Sequence, residues 1–284
     1  TPTSVLAQRQ SSRGSEANKP LLISQTTMFI EREGRTVNEF VYDYSIDGYK
    51  AADISILAPH LTEHFPIVDW AYQQVPNSYI WCVRADGVLL GLTYQRDHKV
   101  VGWHRHNTQG KFAAVCCIPH RASREDEVWV VVKRIVAGQE RSYLEKMTRS
   151  FHGLQASDGY FLDSFVEGLF PDGSQTIGGL GHLRGCEVDI IADGSVHPSL
   201  IVPETGIISL NKAYNKIVVV LGYSTIITPT LPDISLNDGT SLGRVQRITN
   251  LDVDLYQTLG FVLRKVDAEG EEFVEEKPFR LPKH

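Results

Sequence analysis

Apolar and polar residues alternate along most of this chain. MFIEREGRTVNEFVYDY reads as strand, Glu-Gly turn, strand. YIWCVRADGVLLGLTY repeats the reading about Asp86-Gly87, and VWVVVKRIVAGQERSYLEKM repeats it about Ala137-Gly138. A period of two marks a half-buried strand, and a Gly-containing dipeptide between two such runs marks a hairpin. The turn glycines Gly34, Gly87 and Gly138 are spaced by 53 and 51 residues. A tyrosine follows each on the second strand: Tyr42, Tyr94 and Tyr143. After the middle hairpin, KVVGWHRH supplies a further strand.

An antiparallel unit recurring about every 50 residues predicts propeller-like blades, because each such unit buries its faces only against its neighbours. Three units are visible, whereas a closed propeller needs about four to eight. Independent hairpins at chance spacing are the alternative. Between the first two hairpins, AADISILAPHLTE predicts a short helix or turn, with Asp53 or Ser55 as its cap.

The expected class is all-β, with antiparallel propeller-like hairpin repeats plus a small β-sandwich or barrel module. Residues 1–27 read as a polar N-terminal segment and 28–156 as the repeats. Residues 157–177 read as a linker, with a turn at Pro171-Asp172-Gly173. Residues 178–234 read as the small module, its last strand ended by Pro229 and Pro232. Residues 235–284 read as a linker and one long strand. In that strand Leu251, Val253 and Leu255 alternate with Asp252 and Asp254, the pattern of a half-buried strand.

Composition adds modest constraints. Among 284 residues, 42% are hydrophobic and 22% charged, which is globular rather than disordered. No apolar run is long enough to span a bilayer as a helix. The segment TPTSVLAQRQSSRGSEANKP has no apolar core of the kind a secretory signal carries. The chain starts at Thr1, without an initiator Met, which with the small number of blades raises the expectation of a fragment of a longer protein. A trimmed complete chain is the alternative. Net charge is −6, from 34 acidic and 28 basic residues, so the basic footprint of a sequence-independent nucleic-acid binder is absent. Cys82, Cys116, Cys117 and Cys186 lie in apolar contexts with no Cys-x-x-Cys, and are expected to be buried free thiols.

Candidate chemistry is sparse. His104 and His106 fall on one face of a strand and have the spacing to share a metal, but no third or fourth ligand is signposted. Solvent-facing residues at a strand edge are the expected reading. No Gly-x-Ser-x-Gly occurs, and Gly178-Gly179-Leu180-Gly181-His182 lacks the Lys of a phosphate loop. Glu125-Asp126-Glu127 and Glu271-Glu272 read as solvated loops. Trp70, Trp81, Trp103 and Trp129 read as core filling between blades, with a sugar platform as the alternative. The turn Asp97-His98-Lys99 projects from a hairpin and is the candidate lumen or interface loop. No catalytic residue, metal or cofactor is expected.

Several stretches together resemble a known family. The long segment from Asp53 to Phe112 carries Ala-Tyr-Gln-Gln-x-Pro, Ile-Trp-x-Val-Arg-x-Asp-Gly-x-Leu and Gly-Trp-His-Arg-His. With IGGLGHLRGCEVDIIADGSVHPSLIV and GRVQRITNLDVDLYQTLGF, it resembles the tail nozzle proteins (tail tubular protein B) of short-tailed bacteriophages. The resemblance runs from about Met28 to Phe261. It implies a virion tail protein, assembled in the host bacterial cytoplasm. It further implies a homohexameric ring at the distal end of the tail, docked on an adaptor ring, near tail fibres or spikes, with double-stranded DNA passing through without sequence-specific binding. The family carries no catalytic residues, and its members are much longer than this chain. An acidic wall suits a DNA channel, because it does not grip phosphate. A receptor- or glycan-binding tail component is the second reading, and a cell-envelope hydrolase the third.

Overall fold

A computed structural model describes residues 9, 12–149, 151, 159–223, 227, 235–236, 239–240, 251–254, 261–266 and 272–279. Every regular element among them is a strand or a short 3-10 turn. No helix among the described residues is long and apolar enough to cross a membrane.

The three predicted hairpins lie in three meander sheets, the first two as inner pairs and the third at an edge. The first sheet orders β1 (Leu21–Ile23), β2 (Thr26–Ile30), β3 (Val37–Asp43) and β4 (Gly48–Asp53). The second orders β5 (Ile67–Gln73), β6 (Tyr79–Arg84), β7 (Leu89–Gln95) and β8 (Val100–His106). The third orders β9 (Lys111–His120), β10 (Glu125–Val136) and β11 (Gln139–Lys146). Gly34, Gly87 and Gly138 occupy the β2–β3, β6–β7 and β10–β11 turns, all at positive φ. β1 adds order within the segment read as polar, because Leu21 to Ile23 pair with Thr26 to Met28.

Alternation assigns each sheet two faces, and the sheets stack by them. Met28, Ile30 and Val37 of the first sheet join Ile80, Cys82, Leu90 and Leu92 of the second in one core. The intervening residues Trp81, Val83 and Leu89 point the other way, into a second core with Val115, Val128, Val130 and Val132 of the third sheet. The second sheet is thus apolar on both faces.

The joint between successive sheets repeats. Ile67, the first residue of β5, donates its N–H to the carbonyl of Gly34 at 2.8 Å. Phe112, near the start of β9, donates to the carbonyl of Gly87 at the same 2.8 Å. A Cβ on Gly34 would stand 2.6 Å from Cβ of Pro66, and one on Gly87 would stand 2.5 Å from Cβ of Lys111. Glycine is therefore required at both turns twice over, for the positive φ and for the close approach. The antiparallel hairpin unit recurs, but the described residues close neither a propeller nor a barrel.

The fourth sheet corrects the boundaries read from sequence. It orders β12 (Val166–Ile177), β15 (Ile208–Leu221), β13 (Glu187–Ala192) and β14 (Ser195–Ile201). Residues 166–177, read as linker, form its first strand, and Pro171-Asp172-Gly173 lies inside β12 rather than in a free turn. The register with β15 shifts between Leu169 and Ser174, so the Pro-Asp-Gly occupies an irregular stretch without paired partners. Among the described residues the module is one bulged sheet with its own core of Leu180, Leu183, Val188, Ile190, Ile217 and Val219. Pro229 and Pro232 lie outside the described residues; β15 ends at Leu221.

Two further expectations fail. The cap of the 3-10 turn at Pro59–Leu61 is Ala58, with no side-chain hydrogen bond. Asp53 instead accepts from the N–H and hydroxyl of Ser55, closing a turn at the end of β4, and the Ser55 Oγ accepts from Val37 N–H at 3.3 Å. Residues Leu251 to Asp254 form no strand and all four are exposed, and no described strand pairs with them; Leu255 lies outside the described residues. The C-terminal part of the chain forms a separate unit, in which β16 (Ser235–Leu236) pairs β17 (Gly239–Thr240) and β18 (Phe261–Val266) pairs β19 (Glu272–Phe279). Glu272 opens β19 rather than standing in a loop.

Candidate functional site

His104 and His106 lie on β8, the outer strand of the second sheet, but their side chains turn inward. His104 stands opposite Gly91, which stands opposite Trp81. The missing side chain at Gly91 makes the room: a Cβ there would lie 2.0 Å from the His104 ring. His104 Nδ1 and His106 Nε2 are 2.8 Å apart, and both rings meet the Trp81 ring, at 5.8 and 5.3 Å between centroids. Both histidines are half-buried, so the solvent-facing reading is corrected.

Burial lowers both histidine pKa values, that of His106 to about 4 with a further contribution from the His104 charge. One proton bridges the two nitrogens; a second would set two donors head to head. The pair supplies two nitrogen ligands, and no group of three or more His, Cys, Asp or Glu side chains comes together among the described residues. At neutral pH its chemistry is that of a neutral, aromatic-packed hydrogen bond.

Asp97, His98 and Lys99 lie at an exposed β7–β8 turn. Lys99 adopts the left-handed conformation, with φ of 54°. The turn is rooted by Arg96, which reaches back to Glu39 at 3.1 Å and to Thr26 at 3.1 Å in the first sheet. The described structure brings no other expected site residue to it.

All four indole N–H groups are used internally. Trp70 donates to Lys19 O, Trp81 to Gln73 Oε1, Trp103 to Ile54 O and Trp129 to Glu127 Oε2. Trp70 and Trp81 are buried, so both are core rather than platform. The acidic run at Glu125 is not a loop: it opens β10. Asp126 accepts from the main-chain N–H groups of Gln74 and Val75, at 2.7 and 3.1 Å. Glu127 is held below its ordinary carboxylate range by the Lys146 ammonium, which lies 3.2 Å away. Among the cysteines, Cys82 is buried and Cys117 half-buried, with its thiol pushed up to about 12 by burial; Cys116 is exposed, against expectation.

Two features escape sequence reasoning. Arg134 is buried and bonded to Glu145, Thr108 Oγ1 and Gln109 O, with Asp163 at 3.6 Å. Asp163 O in turn accepts from Leu221 N–H, so the third sheet is tied to the fourth. The second feature is an aromatic row on the face of the first sheet turned away from its core: Phe29, Phe40, Tyr42 and Tyr49. Phe40 and Tyr49 stack at 4.8 Å, and Tyr44 extends the row into the hairpin tip. The alternation in VNEFVYDYSIDGY contains that row, but nothing in it says which face is covered.

No protein-family model matches the chain, and no curated protein sequence matches it.

Proposed function

We propose that the chain is a structural component of a short-tailed phage tail, forming part of the hexameric nozzle through which DNA is ejected. The observation that carries the reading is the repeated joint at Gly34 and Gly87, which stacks sheet upon sheet as the recurring hairpins predict. Such a stack is a way to build a wall: the middle sheet buries both faces, and stiffness comes from area rather than from a site. The net charge of −6 supports passage of DNA without adhesion. Self-association into a ring, docking on an adaptor ring, contact with fibres or spikes and residence in the virion tail belong to the same proposal. So does the role of Asp97, His98 and Lys99 as a lumen or interface loop. No catalytic step is assigned.

The test is electron microscopy of the purified protein, alone and with its adaptor ring. Six-fold rings support the reading; single chains at high concentration in both samples refute it. A receptor- or glycan-binding tail component is the second reading, favoured by the exposed Tyr44 and Tyr49. A glycan array with a hit that is lost in Tyr49→Ala supports it, and an array without hits removes it.

A further inference from the structure

We infer that the joint between the third and fourth sheets takes up a proton as it closes, so that the fourth sheet is held more firmly in mild acid than at neutral pH. This joint plays no part in the reading above and stands without it. The second and third sheets share an apolar core, in which Trp81 and Val83 meet Val115, Val128 and Val130. The third and fourth sheets share none: among the described residues, the core of the fourth is built from its own elements. Polar and ring contacts join the two instead. Thr108 and Arg134 face Asp163. Gln109 Nε2 donates to Gly222 O at 2.9 Å, and Thr148 Oγ1 donates to Tyr160 O at 3.0 Å. Tyr143 meets His182 at 6.2 Å between ring centroids.

The charges in this joint do not balance. Arg134 on β10 and Glu145 on β11 belong to the third sheet. Asp163 belongs to the fourth, where its carbonyl accepts from Leu221 N–H at 3.1 Å. Glu145 takes both prongs of the guanidinium, at 2.7 and 2.8 Å, and leaves Asp163 at 3.6 Å from Nη2. What Asp163 receives directly is the Thr108 hydroxyl, 3.0 and 2.8 Å from its two oxygens, and the main-chain N–H of Gln109. The same hydroxyl accepts from Arg134 Nη1 at 2.8 Å. Tyr143 and His182 are the other titratable groups of the joint. Closing it therefore sets a second carboxylate, its side chain 21% exposed, beside a cation that Glu145 already neutralises. A half-buried charge in excess is relieved by a proton. Asp163 is the group that takes it: burial pushes its carboxyl above the ordinary range, the Glu145 charge adds to the rise, and Thr108 and Arg134 only partly oppose it. The docked carboxyl thus holds its proton more tightly than the solvated carboxyl of an undocked sheet. The added hold is complete below the ordinary range of about 4 and is lost as pH rises through the raised value. This runs opposite to the histidine pair, whose protonation weakens the fold in acid.

Nuclear magnetic resonance on the isotope-labelled 284-residue chain tests this in two ways. The first follows the Asp163 carboxyl carbon through a pH titration of the unmodified chain. Its midpoint is expected above the ordinary carboxylate range, and Glu145→Gln is expected to lower it, because the guanidinium is then free to turn to Asp163. A midpoint within or below the ordinary range overturns the inference, and so does a midpoint that Glu145→Gln leaves in place. The second measures amide exchange at Gln109 N–H, which crosses the joint, with Val130 N–H in the middle of the third sheet as the reporter of global unfolding. After correction for the intrinsic exchange rate, Gln109 is expected to open about threefold more often at pH 7 than at pH 4, while Val130 moves the other way. Asp163→Asn keeps the shape and the acceptor but carries no charge. It is expected to hold Gln109 at pH 7 at least as firmly as the unmodified chain does at pH 4, without further pH dependence. Gln109 opening that is constant with pH, or greater in acid, overturns the inference; so does an Asp163→Asn variant that is folded at Val130 yet looser at Gln109, since the carboxylate charge would then be what holds the joint. Neither measurement involves assembly, so failure here leaves the nozzle reading as it stands.

Discussion

Arg134 on β10 meets Glu145 on β11 side by side, Nε to Oε1 at 2.7 Å and Nη2 to Oε2 at 2.8 Å. The Arg134 side chain is 4% exposed, so its charge is compensated almost wholly by protein. Bidentate geometry of this kind is the strong form of ion pair. Removing one partner of a buried pair leaves the other unpaired in a poorly solvated place. Glu145→Leu is therefore expected to cost about 3 kcal/mol in a urea titration. The exposed pair Lys133–Glu140, at 3.8 Å, is the control: Glu140→Gln is expected to change stability by less than about 0.5 kcal/mol.

The histidine pair predicts a pH dependence with a definite sign. The folded chain holds His106 at about 4, while the unfolded chain protonates it near 6.5. Between those values the unfolded state binds more protons, so stability falls as pH drops from 7 toward 4. His104 acts in the same direction. Carboxylates whose pKa is lowered, such as Asp86 beside Arg84, contribute their loss only below their ordinary range near 4, and Asp163, raised by burial, works in the opposite sense. Denaturant titrations at pH 7 and pH 5 are expected to differ on the order of 2 kcal/mol, with His106→Gln flattening the difference. An unchanged slope in that variant counts against the assignment.

Gly91 and His104 are coupled by space. A methyl group at Gly91 displaces an imidazole confined by Trp81, Tyr79 and His106. Gly91→Ala is expected to cost about 2 kcal/mol, in the range of overpacking. In a His104→Ala background the same change is expected to cost less than half of that, and the double-mutant cycle measures the difference.

Asp193 holds a bulge in β15. Its carboxylate accepts from the N–H groups of Asn215 and Lys216, at 3.1 and 2.8 Å, and its own N–H donates to Lys216 O at 2.9 Å. Buried positions run Ile208, Leu210, Tyr214 and then Ile217, Val219, Leu221, so the inward parity flips at the residues it clamps. Asp193→Ala is expected to cost about 1 kcal/mol and to speed amide exchange at Asn215 and Lys216.

The hairpins were legible in the sequence because alternation and a turn glycine point to the same answer, as at Val83 to Leu89 around Asp86-Gly87. The outer strands of each sheet were less so: β4 carries Gly48, Lys50 and two alanines, which have little apolar contrast. β12 was hidden by Pro171-Asp172-Gly173, which breaks pairing locally without ending the strand. Leu251 to Asp254 alternate as a strand should, yet alternation supplies no partner. The turn at Asp97, His98 and Lys99 was readable from polarity. The inward aim of His104 was not, because it depends on the register that puts Gly91 opposite. Arg134 gave no signal either: an arginine in an alternating run says nothing about which acid it meets, and Glu145 and Asp163 come from other elements.

The proposed function is to build a ring wall. Electron microscopy of the purified protein with its adaptor ring tests it most directly: class averages with six-fold symmetry and an open lumen are the expected result, and particles that remain single chains at high concentration would contradict it.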